Sequence, residues 1–152
     1  MRAKNSNRAM LAAAMTLGLA ACGPNGLFGQ SKEDFESDAM TALIDVCASE
    51  AIPGLRVHLL ADWTEEQIIE RGRAASASAA AAFQKMEWTH GVTQSEFNEM
   101  MDAARTQGRV LLLQVGVNSY PDSLDETIAE IAKSCTPEAT GLMQGIEGKL
   151  SF

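Results

Sequence analysis

Five times along this chain a hydroxyl side chain stands immediately ahead of a segment with helical apolar spacing. Ser31 precedes Glu33 and Asp34 and the apolar positions Phe35, Ala39, Leu43 and Val46. Thr64 is followed three residues later by Gln67, with Trp63 and Ile68 placed as a hydrophobic staple, and Thr93 and Glu96 repeat the pattern with Val92 and Phe97. Ser123 and Glu126 give a third box, and Thr136 is followed by Pro137 in the first helical position. Each such oxygen satisfies amide groups that a first helical turn leaves without partners. A chain that spells out helix starts this often has little room for a sheet.

These signals predict helices over 32–50, 65–88, 94–116 and 124–135, with a short fifth helix over 137–145. The fold class is therefore all-α, a small bundle of four main helices plus a short C-terminal one. One stretch leaves an alternative open: 109–117 reads RVLLLQVGV, a continuous apolar run that also suits a buried strand in an α+β fold. At 152 residues the chain suffices for one domain.

The N-terminus carries a different message. Arg2, Lys4 and Arg8 form a basic head without an acid, and 9–19 read AMLAAAMTLGL, an uncharged run too short for the about 20 apolar residues that span a bilayer. Leu19, Ala20, Ala21 and Cys22 follow, and this segment resembles the lipobox signal of bacterial lipoproteins, matching it at every position. The resemblance implies cleavage between Ala21 and Cys22, a diacylglyceryl group on the Cys22 sulfur and acylation of the new amino group. Two or three acyl chains at roughly 0.8 kcal/mol per buried methylene hold a protein on a membrane far better than one. Gly23, where enteric lipoproteins kept in the inner membrane have Asp, points to the periplasmic face of the outer membrane, with the inner membrane as the alternative. The expected organisation is a signal peptide over 1–21, a lipidated Gly- and Pro-rich tether over 22–30, and a periplasmic domain over 31–152.

With Cys22 assigned to lipid, Cys47 and Cys135 remain as an even pair in an exported chain, and a disulfide between them is expected. Both fall at the C-terminal ends of their predicted helices. That placement argues against an up-down-up-down bundle and for the first and fourth helices running parallel, in the order up, up, down, up. The 13 residues of 51–63 reach about 40 Å when extended, enough to run back along a helix.

No cofactor other than the lipid on Cys22 is expected. His58 and His90 belong to no metal-ligand spacing, no serine lies in a GxSxG motif, and the paired cysteines leave no thiol nucleophile. Removing the basic head takes the 12 basic side chains to 9 against 20 acidic ones, a balance of −11 over the remaining 131 residues. Such a domain is unsuited to nucleic acid, and its partner beyond the membrane anchor is expected to be a protein of neutral or basic character.

Small residues recur along the third-and-fourth-residue seam of the second helix, through Gly72, Ser76 and Ala79 to Phe83 and Met86. Phe83 and Met86, with Trp88 and Tyr120, are the candidate partner-binding residues. The sequence thus reads as a lipid-anchored, non-enzymatic binding module, such as an envelope or secretion assembly factor of the pilotin kind. The alternatives are an inhibitor or immunity-like protein, or a small enzyme with an unrecognised cleft.

Overall fold

The computed structural model describes residues 29–59, 62–115 and 123–152. Ala21, Cys22 and Tyr120 lie outside them, as do the segments expected to form the signal peptide and most of the tether. Four α-helices are formed, α1 (Lys32–Ala51), α2 (Glu65–Lys85), α3 (Gln94–Val115) and α4 (Leu124–Glu147), with a 3-10 helix at Ile52–His58. Among the described residues there is no strand, and Arg109–Val115 continues α3. The strand alternative for that part of the apolar run is corrected to helix. No helix of the described residues is long and apolar enough to cross a membrane.

The caps work as their chemistry requires. Ser31 Oγ accepts from the Asp34 amide at 3.1 Å. Thr64 and Gln67 exchange side-chain and backbone bonds at 3.1 and 2.8 Å, and Thr93 and Glu96 do the same at 3.2 and 2.9 Å. The staple residues Trp63, Ile68, Val92 and Phe97 are all buried. Ser123 Oγ accepts from the Glu126 amide at 3.4 Å.

The fifth signal fails. Thr136 and Pro137 lie inside α4, which runs unbroken to Glu147, so the expected short C-terminal helix is the second half of α4. The Thr136 hydroxyl bonds back to the Ala132 carbonyl at 3.2 Å instead of capping a new helix. Proline costs the helix one backbone hydrogen bond, to the Lys133 carbonyl. The apolar face outweighs it: Ile131, Cys135, Ala139 and Ile146 are all buried at spacings that only a continuous helix keeps on one side.

This continuity reverses the topology expected from the cysteines. Cys135 sits in the middle of α4, not at its end, and pairs with Cys47 at a Cα–Cα distance of 6.0 Å. Glu36 and Met40 of α1 share a surface recess with Glu147 and Met143 of α4, so numbers falling along α4 match numbers rising along α1. The two helices are antiparallel. Helix α2 is also antiparallel to α1: Gln30 bonds Glu87 at one end, and Gly72 faces Ile52 at the other. Arg109 pairs with Glu50 at one end, and at the other Phe97 packs on Trp88, next to the Gln30–Glu87 contact, which makes α3 parallel to α1. The bundle is therefore up-down-up-down, with α1 as its central post.

Candidate functional site

Helices α2, α3 and α4 all pack on α1, whereas α2 and α3 scarcely meet along their lengths. Helix α1 is accordingly the most deeply buried element, with Phe35, Ala39, Ala42, Leu43, Cys47 and Ala51 nearly or wholly inaccessible. Helix α2 buries only Ile68, Ala79 and Ala82. Its small residues let it lie close to α1, yet the same residues are too short to reach across to α3.

A groove results, floored by α1 and walled by α2 and α3. Its lower part, about 240 Å³, is lined by Val46 from α1, by Ala79, Ala80 and Phe83 from α2, and by Asn98, Met101 and Arg105 from α3. Ser76 lines this part and also an adjoining recess of about 350 Å³ between α1, the 3-10 helix and α2, where Glu50, Pro53, Arg56, Ile68, Ile69 and Arg73 form the walls. From Ile69 to Phe83 the groove follows α2 for about 21 Å at 1.5 Å per residue. That length accommodates about four turns of a second helix.

Aromatic rings close the lower end. Phe83 and Trp88 stand 5.1 Å apart, Trp88 and Phe97 5.6 Å, and Phe83 and Phe97 6.0 Å. Phe97 is buried, while Phe83 and Trp88 are half-buried, leaving part of each ring for contact. Met86 is not available in this way. Its backbone leaves the helix at φ −71° and ψ 134°, two residues before the expected end of α2, and its side chain is buried in the core.

The histidines are placed elsewhere. His58 meets the edge of Trp63 at 6.3 Å. His90 stacks on Phe152 at 4.1 Å, with Nδ1 3.2 Å from the Ser151 carbonyl oxygen and Nε2 3.9 Å from a Glu87 carboxylate oxygen. Glu87 also accepts from the Gln30 amide at 3.1 Å, while its own amide donates to the Gln30 side chain at 2.9 Å. Gln30 is thereby buried. Among the described residues, no three His, Cys, Asp or Glu side chains are grouped to hold a metal.

Sequence reasoning singled out Phe83 and Trp88 because aromatic residues are scarce here. It missed Val46, Met101 and Arg105, which reach the groove from other helices and carry no local signal. A second exposed feature is also tertiary in origin: Val57 and Leu59 around the end of the 3-10 helix, and Val110 and Leu113 near the end of α3, face solvent. Compared with known proteins, the chain matches no family model, no curated protein and no solved structure.

Proposed function

We propose that this is a lipid-anchored periplasmic protein that works as a non-enzymatic binding module, holding an apolar helix or tail of an envelope or secretion component in the manner of a pilotin-type assembly factor. The observation that carries the reading is the open groove between α2 and α3. A helix pair that packs on a common post without sealing the space between its members leaves a recess there, with Ser76 and Ala80 of α2 exposed on its wall above the buried side chains of Val46 and Met101. Half-buried Phe83 and Trp88 at one end supply the large, rigid contact area that dominates binding energies. The lining residues contribute amides, two hydroxyls, guanidinium groups and one carboxylate, Glu50, which Arg109 holds at 3.2 Å.

The anchor part of the proposal rests on Leu19, Ala20, Ala21 and Cys22, and the outer-membrane placement on Gly23. Metabolic labelling with palmitate tests it: label in the wild type and none in Cys22→Ser is expected, and label retained by Cys22→Ser contradicts it. Binding is tested by a photo-crosslinking residue at Ala80, in the groove, and at Lys133, on the exposed side of α4. A discrete adduct from position 80 alone is expected in intact cells. Identical adducts from both positions, or none from position 80, contradict a groove-based partner.

A further inference from the structure

We propose that His90 is a proton-operated latch: as the imidazolium it ties the segment 148–152 across one end of the bundle, and as the neutral ring it releases that segment. The latch is independent of the α2–α3 groove. Backbone and side-chain contacts fasten the segment to the loop between α2 and α3. The Ser151 amide donates to the His90 carbonyl at 3.0 Å, His90 Nδ1 lies 3.2 Å from the Ser151 carbonyl oxygen, and the His90 and Phe152 rings stack at 4.1 Å. Lys149 Nζ reaches Glu96 of α3 at 2.7 Å. Gly91, at φ +89°, passes so close to the segment that an added Cβ would be driven into the Lys149 carbonyl oxygen.

The surroundings of His90 suit the charged ring better than the neutral one. Two acceptors flank it, the Ser151 carbonyl oxygen at Nδ1 and a Glu87 carboxylate oxygen 3.9 Å from Nε2. A neutral imidazole carries one N–H. With that proton on Nδ1, the Nε2 lone pair faces a carboxylate, and Nε2 is buried without a hydrogen-bond partner among the described residues. With the proton on Nε2, a lone pair faces the carbonyl oxygen instead. The imidazolium donates from both nitrogens, forms an ion pair with Glu87 and lays its charge on the Phe152 ring. Burial opposes the charge, and the two acceptors and the aromatic face offset that opposition.

Other charged groups at this end have partners of their own or point outward. Asp34 accepts from Ser31 Oγ at 2.8 Å, Asp38 from the Gln30 side chain at 2.8 Å, Lys32 pairs with Glu36 at 3.6 Å, and Glu96 holds Lys149. Glu33 and Glu147 are exposed on α1 and α4. Docking of the segment therefore takes up a proton at His90. Its hold is complete at low pH and is lost as pH rises through the range in which imidazole titrates, about pH 5 to 8. Phe35 is wholly buried and meets the rings of His90 and Phe152 edge-on, each at 5.9 Å. Release bares Phe35 at the start of α1 and frees the loop that also carries Trp88.

The test uses the protein purified in detergent with 4-fluorophenylalanine in place of phenylalanine, the Phe152 fluorine signal being assigned by its loss in Phe152→Leu. The released fraction is expected to rise about tenfold between about pH 5 and 8, and by less than about twofold in Glu87→Gln and in His90→Gln. Circular dichroism checks that each variant folds. Ring nitrogen NMR shifts of His90, read on the unaltered chain, are expected to show protons on both nitrogens while the segment is docked at low pH. A fluorine signal that ignores pH, release on acidification, or a full response kept by either variant overturns the latch. So does a docked His90 that stays neutral down to about pH 5.

Discussion

Gly108 of α3 is pressed against the backbone of Cys47, so that a Cβ on Gly108 would be driven into the Cys47 carbonyl oxygen and would also crowd Glu50. The α1–α3 contact is a backbone-to-backbone approach, and it fixes how close α3 comes to the central post. The α2–α3 separation that opens the groove follows from where α3 is held.

Gly108→Ala therefore destabilises the domain, by about 2 kcal/mol or more, since neither carbonyl nor helix axis can yield without disturbing the core. Gly141 of α4 has no neighbour within 4 Å of an added Cβ. Gly141→Ala is expected to stabilise by roughly 0.5–1 kcal/mol through helix propensity alone. Urea midpoints of the two variants, measured side by side, check the opposite signs.

The Cys47–Cys135 bond closes a loop of sequence separation 88. In the chain-entropy description a loop of that size contributes roughly 4–5 kcal/mol, a large share of the stability of a domain of this size. The Cys47→Ala, Cys135→Ala double variant should unfold at a much lower urea concentration than the oxidised protein. Equal midpoints for the two would show that the bond carries no such load.

Pro137→Ala restores a backbone donor in the middle of α4 and removes a ring clash with the preceding turn. Proline inside a helix costs about 3 kcal/mol relative to alanine. A raised melting temperature is expected, with unchanged helical content by circular dichroism. A pair of separate helices meeting at Thr136 would instead leave the melting temperature of Pro137→Ala unchanged or lowered.

Glu96 is held at a pKa of about 2, below the ordinary glutamate value of 4.5, chiefly by the Lys149 hydrogen bond and then by the Thr93 amide and hydroxyl. A folded-state value below the unfolded one means that the ionised group favours the fold above the unfolded pKa and that this contribution disappears as pH falls through the folded pKa. The carboxylate's contribution is thus lost between about pH 4.5 and 2. Glu96→Gln should flatten that part of the acid limb and leave the slope near pH 7 unchanged. An acid limb identical to the wild type would remove Glu96 from the cap and from the tie to Lys149.

How much of this was legible in the chain depends on how local each determinant is. Ser31, Thr64, Thr93 and Ser123 announce helices because a cap involves residues three apart, and all four helices begin where those residues say. Thr136–Pro137 has the same local form and the opposite outcome. Proline at a helix start and proline tolerated in an interior are distinguished only by whether Ala139 and Ile146 find a core to enter, which is tertiary information. The topology failed for the same reason, since a break at Pro137 moved Cys135 to a helix end. The apolar stretch 109–117 was ambiguous because Val110 and Leu113 face solvent and blur the helical period. In the groove, Phe83 and Trp88 stood out by composition, whereas Arg105 and Met101 acquire meaning only once α1 places α3 beside α2.

Backbone amide exchange along α2 and α3, compared between the protein in envelope membranes and the same protein purified in detergent, tests the groove as the working surface most directly. Helix α2 has few buried residues and a long exposed face, so in isolation its outer amides should exchange readily. In membranes, slowed exchange confined to 73–84 of α2 and 98–105 of α3 is the predicted result. Unchanged exchange in those two segments, with protection on the exposed side of α4 around Glu130 and Lys133, would contradict it.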